Sequence, residues 1–136
     1  MKERIRIGCG AGFSGDRLEP GLILAQHGKL DYLVLECLAE RTIALAQKRK
    51  RQNPDTGYDP LLERRIEMLL PVLLNNHVRL ITNMGAANPL AAVQKVVEIA
   101  QRLNLSLTVA AITGDDVFHQ LTGNETALGT GKPLHT

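Results

Sequence analysis

Apolar and polar positions along the chain switch between two spacings. Ile5 and Ile7 recur at every second position and run into glycines, which predicts a short strand from Arg4 to Gly8. Gly8 to Asp16 then reads as a loop. A helix from about Glu19 to His27 follows, with Pro20 in its first turn and Gly28 at its end. Tyr32-Leu33-Val34-Leu35 is apolar without alternation, the mark of a strand covered on both faces. From Leu38 to about Arg51 the spacing is helical, with Leu38, Thr42, Leu45 and Ala46 on one side, and Asn53 to Gly57 breaks it. Pro60 restarts a helix that puts Leu62, Ile66, Leu69 and Leu73 on one stripe, and Pro71 kinks it or ends its regular part. Val78 to Thr82 predicts a third strand. Asn88 and Pro89 form the cap and first turn of a further helix, whose expected core face is Leu90, Val93, Val97, Ala100 and Leu103. Leu105 to Ile112 predicts a fourth strand, with at most one short helix near Asp115 to Leu121 beyond it.

The resulting order, β-α-β-α-α-β-α-β, predicts an α/β fold: a mostly parallel sheet of about four strands with helices on both faces, a Rossmann-like three-layer arrangement. Residues 1–122 form this domain. Residues 123–136 are polar and weakly periodic, a tail or the start of a continuation. The apolar fourth strand expects cover that the remaining residues do not supply. Self-association, or a C-terminal region supplied by another polypeptide, would provide it.

Composition narrows the partners. The 136 residues are 44% apolar, enough for one core. Net charge is +2 with the signs mixed. Aromatics make up 3%, so base stacking has little to work with and no nucleic-acid partner is expected. Lys48-Arg49-Lys50-Arg51, the one basic run, suits a solvated helix C-terminus, a nucleic-acid patch being the other reading. No apolar run reaches membrane-spanning length and Met1 to Arg6 lacks the apolar stretch of a signal peptide, so no membrane partner and a cytoplasmic location are expected. Cys9 and Cys37 fall at predicted buried strand ends without metal-ligand spacing, and no metal is expected.

In open α/β sheets ligands bind beyond the carboxyl ends of the strands, and four loops there carry the candidate chemistry. Gly10-x-Gly12-x-x-Gly15 has dinucleotide-binding spacing, which brings Gly8, Gly10, Gly12, Ser14 and Gly15 forward as phosphate ligands. Asp16, Glu19 and Pro20 delay the helix and add negative charge, so a turn needed for chain geometry is the other reading. Glu36 stands where a ribose-binding acid would, or pairs with the following helix. Asn83 and Gly85 occupy the third loop, where Asn83 is free to bind a polar group. Asp115 and Asp116 are adjacent carboxylates that suit a base or cation ligand, or a helix cap. Together with Asn83 they are the catalytic candidates. Cys9 has no neighbouring histidine motif and reads as buried and inert; His27, His77 and His119 are scattered.

Ile5 to Arg17 (IRIGCGAGFSGDR), Asp31 to Glu40 (DYLVLECLAE), Thr82 to Pro89 (TNMGAANP) and Thr113 to Val117 (TGDDV) are similar, in this order, to the N-terminal region of the acyclic terpene utilisation (AtuA-like) family. The resemblance spans about Arg4 to Val117. It implies a bacterial protein of citronellol- and geraniol-type isoprenoid breakdown, acting on acyl-CoA derivatives or related phosphate-bearing metabolites. Members are longer, continuing into further strands. The small-molecule ligand expected is a CoA ester or a nucleotide, and the residues name no cofactor. A non-catalytic nucleotide-binding or regulatory α/β module is the alternative, so catalysis and binding both stay open.

Overall fold

The computed structural model describes residues 4–122 and 124–133. Of the predicted tail 123–136, position 123 and residues 134–136 lie outside the described residues, as do residues 1–3 of the predicted domain. The elements are β1 (Ile7–Ala11), α1 (Glu19–His27), β2 (Tyr32–Leu35), α2 (Glu40–Gln52), α3 (Leu62–Asn75), β3 (Arg79–Thr82) and α4 (Pro89–Arg102), with a short 3-10 turn at Phe118–Gln120. The three strands form one parallel sheet in the order β1-β2-β3, with Ile7 beside Tyr32 and Tyr32 beside Arg79.

Strand order accounts for the largest departure from expectation. Both crossovers step across the sheet in the same direction. Right-handed connections then put their helices on one face. α1 packs on β1 and α3, and α3 packs on β3 and α4, so the helical layer lies on that face. The opposite face is open: Ile7 is 67% and Ile81 54% exposed, and Cys9 is exposed beside them. The described chain is therefore three-stranded with one covered face. Cys9, read as buried, lies on the bare side, while Cys37 is buried. Hydrophobic run length cannot encode this, because Leu33 and Leu35 are fully covered while Val34 between them is only half-buried.

The predicted fourth strand is also corrected. Residues 105–112 are not a strand of the sheet. Leu105, Leu107 and Val109 pack against the core while Ser106, Thr108 and Ala110 face outward. Side-chain alternation produces an extended segment, but ladder membership depends on backbone pairing with β3, which side chains do not specify. The short helix expected at Asp115 to Leu121 shrinks to the single 3-10 turn.

The first strand begins three residues later than the periodicity predicts and runs through the glycines. Gly8 and Gly10 thus sit inside β1, facing the helices. A Cβ on Gly8 would come within 2.6 Å of Leu30, and one on Gly10 within 2.8 Å of Leu35 and 3.2 Å of the Gly21 backbone in α1. Missing side chains let helix and strand approach closely there.

Two helices refine the core. α3 buries Leu62, Ile66, Leu69 and Leu73 as predicted, and it runs through Pro71 to Asn75. Pro71 is exposed, so water can serve the carbonyl left without an amide donor. α4 is rotated from its expected phase: Ala92, Val96, Ile99 and Ala100 are buried, whereas Leu90 is 62% exposed. Val93, Val96 and Val97 offer apolar groups on adjoining sides, so sequence spacing left its phase ambiguous. Asn88 caps α4 as predicted, its side-chain oxygen accepting from the Ala91 N–H.

Candidate functional site

The carboxyl ends of all three strands meet at one edge, where an arginine and an aspartate tie their loops together. Arg65 projects from α3, and its guanidinium donates to the Ser14 carbonyl at 2.9 Å, the Asp16 carbonyl at 3.2 Å and the Cys37 sulfur at 3.2 Å. Asp59, in the loop before α3, lies 3.6 Å from the same guanidinium, and both side chains are almost wholly buried. The remaining capacity of Asp59 is filled: its carboxylate accepts from the Ser14 hydroxyl at 2.6 Å and the Leu61 N–H at 2.7 Å. Its own N–H donates to the Met84 carbonyl. One buried pair thus fixes the loops after β1, β2 and β3.

A second network runs along the outside of this edge. Asn83 donates to the Glu36 carboxylate at 2.9 Å and accepts from the Cys37 N–H at 2.7 Å. The Leu38 N–H donates to the same Glu36 oxygen. The Asn83 amide, followed by the Leu38 N–H, holds the Glu36 carboxyl below the ordinary carboxylate range. Burial pushes the Cys37 thiol up to about 11, against the opposing pull of the Arg65 charge. Cys37 is therefore a neutral thiol at physiological pH.

Beneath α2 these loops leave a cavity of about 170 Å³. Ser14, Cys37 and Asp59 contribute polar groups to its walls, and Arg41 and Arg49 of α2 contribute positive charge. Leu38, Leu45, Pro60 and Ala86 complete it with apolar surface. Thr42 and Leu45 share a face of α2 as predicted, and that face borders the cavity; Leu38, expected on the same helix face, precedes the helix and reaches the cavity from the loop after β2; Ala46 alone of α2 is fully buried. Arg49 is steadied by donating to the Tyr58 carbonyl at 3.2 Å. Lys50, next along, donates to the Ala87 carbonyl and lies 3.6 Å from the Asp116 carboxylate.

The predicted site residues divide into groups. Ser14, Glu36 and Asn83 come together on the edge, and Ser14 also lines the cavity. Gly85 lies in the turn before α4, where a Cβ would approach Pro89 to 2.9 Å. Gly8 and Gly10 are strand residues packed against neighbours. Gly12 has open space around it, and its N–H donates to the Asp16 carboxylate at 2.8 Å. The position a phosphate would take on that amide is thus held by the chain's own anion. Gly15 packs against the Phe13 ring. Asp116 reaches the rim through Lys50, whereas Asp115 is exposed. His27, His77 and His119 are exposed. Among the described residues no three His, Cys, Asp or Glu side chains cluster as metal ligands, and no helix is long and apolar enough to cross a membrane.

Sequence reasoning passed over Arg65, Asp59 and Arg41, and read Arg49 only as part of a basic run at a helix end. Arg65 carried a usable signal. It lies between Leu62 and Leu69 on the buried stripe of α3, and a charge on such a stripe requires a partner. Nothing in the spacing named Asp59 as that partner.

No curated protein and no solved structure matches this chain. The model of the family described as "Acyclic terpene utilisation family protein AtuA" matches residues 5–136. With four motifs in the family's order along the chain and that match covering residues 5–136, the chain belongs to the acyclic terpene utilisation family.

Proposed function

We propose that the chain serves acyclic terpene breakdown by binding an acyl-CoA or related phosphate-bearing metabolite at the carboxyl edge of its sheet. The observation that carries this reading is the Arg65–Asp59 pair, which holds three strand-end loops around a cavity walled by two arginines. Preorganised loops beside positive charge suit an anionic ligand. Glu36 and Asn83, hydrogen-bonded to each other, brace the loop that carries Cys37 into the cavity wall. The rim has no histidine among the cavity walls, and its thiol is held neutral, which favours binding over base catalysis and keeps a nucleotide-binding or regulatory module as the second reading.

A thermal-shift panel of CoA esters of acyclic terpene acids, nucleotides and divalent metals tests it. A ligand at 100 times its dissociation constant stabilises the fold by about 2.7 kcal/mol. Stabilisation by CoA esters supports the reading, stabilisation by nucleotides alone supports the module, and no response from any anion refutes both. In this reading the protein works in the bacterial cytoplasm. The open sheet face and the extended 105–112 segment belong to a larger three-layer assembly, in which a second copy of the chain or further polypeptide adds cover. Sedimentation at micromolar concentration tests for the second copy.

A further inference from the structure

We infer that the cavity beneath α2 seats the oxyanion end of a hydrocarbon-bearing metabolite, with Arg41 and Arg49 taking the charge and Leu38 and Leu45 the first carbons of the chain. The inference rests on the reading that this edge binds a metabolite, and it names the groups that would hold one end of it. Size is the first argument. Pockets that enclose a drug-sized molecule run to roughly 300–1,000 Å³. About 170 Å³ admits an end group only.

Charge is the second. The one carboxylate in the wall, Asp59, is already engaged by Arg65, the Ser14 hydroxyl and the Leu61 N–H, so it does not neutralise the α2 arginines. Arg49 spends one nitrogen on the Tyr58 carbonyl, which orients the guanidinium and leaves other N–H groups for a ligand. Arg41 stands exposed nearer the helix start. The glycine loop is a poorer seat, because the Gly12 N–H already faces the Asp16 carboxylate at 2.8 Å.

Wall chemistry is the third. Leu45 keeps 39% of its surface exposed although it borders the cavity, and Leu38 is half-buried beside it. Cationic groups next to uncovered leucines match an anion attached to hydrocarbon better than a free inorganic anion. Carboxylate and phosphate share the required chemistry, so the test separates them.

Calorimetric titration of the full chain uses isovalerate, isopentenyl monophosphate, inorganic phosphate and CoA esters as probes. Branched probes should bind more tightly than inorganic phosphate, and the tighter of the two identifies the head group. Arg49→Ala and Arg41→Ala should each weaken the branched probes on the order of 10- to 100-fold, the range of a charge-assisted hydrogen bond. Arg49→Lys should recover part of the loss, since it restores charge without the planar fork. Leu45→Asn should weaken branched probes and leave inorganic phosphate unchanged. Lys48→Ala, which removes a cation of α2 that does not line the cavity, should have a much smaller effect. Circular dichroism and thermal midpoints confirm that each variant is folded. Undiminished binding in both arginine variants, or an equal loss in Lys48→Ala, overturns the inference. CoA esters that bind the arginine variants normally would overturn it while sparing the proposed function. Branched probes that bind through the arginines while CoA esters fail would do the reverse.

Discussion

Replacing Arg65 by Met is the sharpest test of how this edge is built. Methionine keeps most of the length and apolar stem but removes the charge and all five donors. Asp59, whose side chain is 3% exposed, then has no cation beside it. Leaving one member of a buried pair uncompensated costs about 3–5 kcal/mol. The carbonyls of Ser14 and Asp16 also lose their donor, but both residues are partly exposed, so water replaces it and adds little. Against a total stability of roughly 5–15 kcal/mol the loss is severe. With a urea slope of about 2 kcal/mol per molar, the midpoint should fall by roughly 1.5–2.5 M. Asp59→Asn should also destabilise, since it strands the buried guanidinium. The double variant should lose clearly less than the sum of the singles, because neither charge remains. Urea unfolding followed by circular dichroism measures all three. Single variants that each cost below about 1 kcal/mol, with additive effects in the double, would refute the claim that this pair holds the three loops.

Other outcomes follow from the same geometry. Cys37, raised from 9.0 to about 11, keeps its proton in the folded state after the unfolded chain has lost it. Its contribution to stability is therefore complete below pH 9 and is lost as pH rises through 11; Cys37→Ala should remove that slope from alkaline denaturation curves. In thiol labelling at pH 8, exposed Cys9 should react much faster than Cys37. The Glu36 carboxyl, lowered chiefly by Asn83, contributes stability above the ordinary carboxylate pKa and loses it as pH falls through its depressed value. The stability difference between the natural chain and Asn83→Ala should accordingly shrink in strongly acidic solution. Gly10→Ala should destabilise, by about 1–3 kcal/mol, because the new Cβ meets Leu35 at 2.8 Å and helix backbone behind it, while Gly12→Ala should stay within about 0.5 kcal/mol. Equal costs at the two glycines, read by thermal unfolding, would contradict the packing role assigned to Gly10.

Much of this molecule was legible along the chain. Leu62, Ile66, Leu69 and Leu73 define the buried stripe of α3 because helical spacing admits only one face that collects them. Asn88-Pro89 fixes the start of α4 through local backbone chemistry. The four motifs identified the family, since order and composition are properties of sequence alone. The tertiary structure decided what depends on distant partners. Strand order placed α1 and α3 on one face, and left Ile7, Cys9 and Ile81 uncovered where helices on both faces were expected. Residues 105–112 make no backbone ladder with β3 and so stay outside the sheet despite their apolar run. Close packing against α1 turned Gly8 and Gly10 from loop glycines into strand glycines. The centre of the candidate site joins residues 45 or more positions apart, Ser14 with Asp59 and Ser14 with Arg65. A buried arginine announces in the sequence that it needs an anion, but which anion reaches it is settled only when the chain has folded.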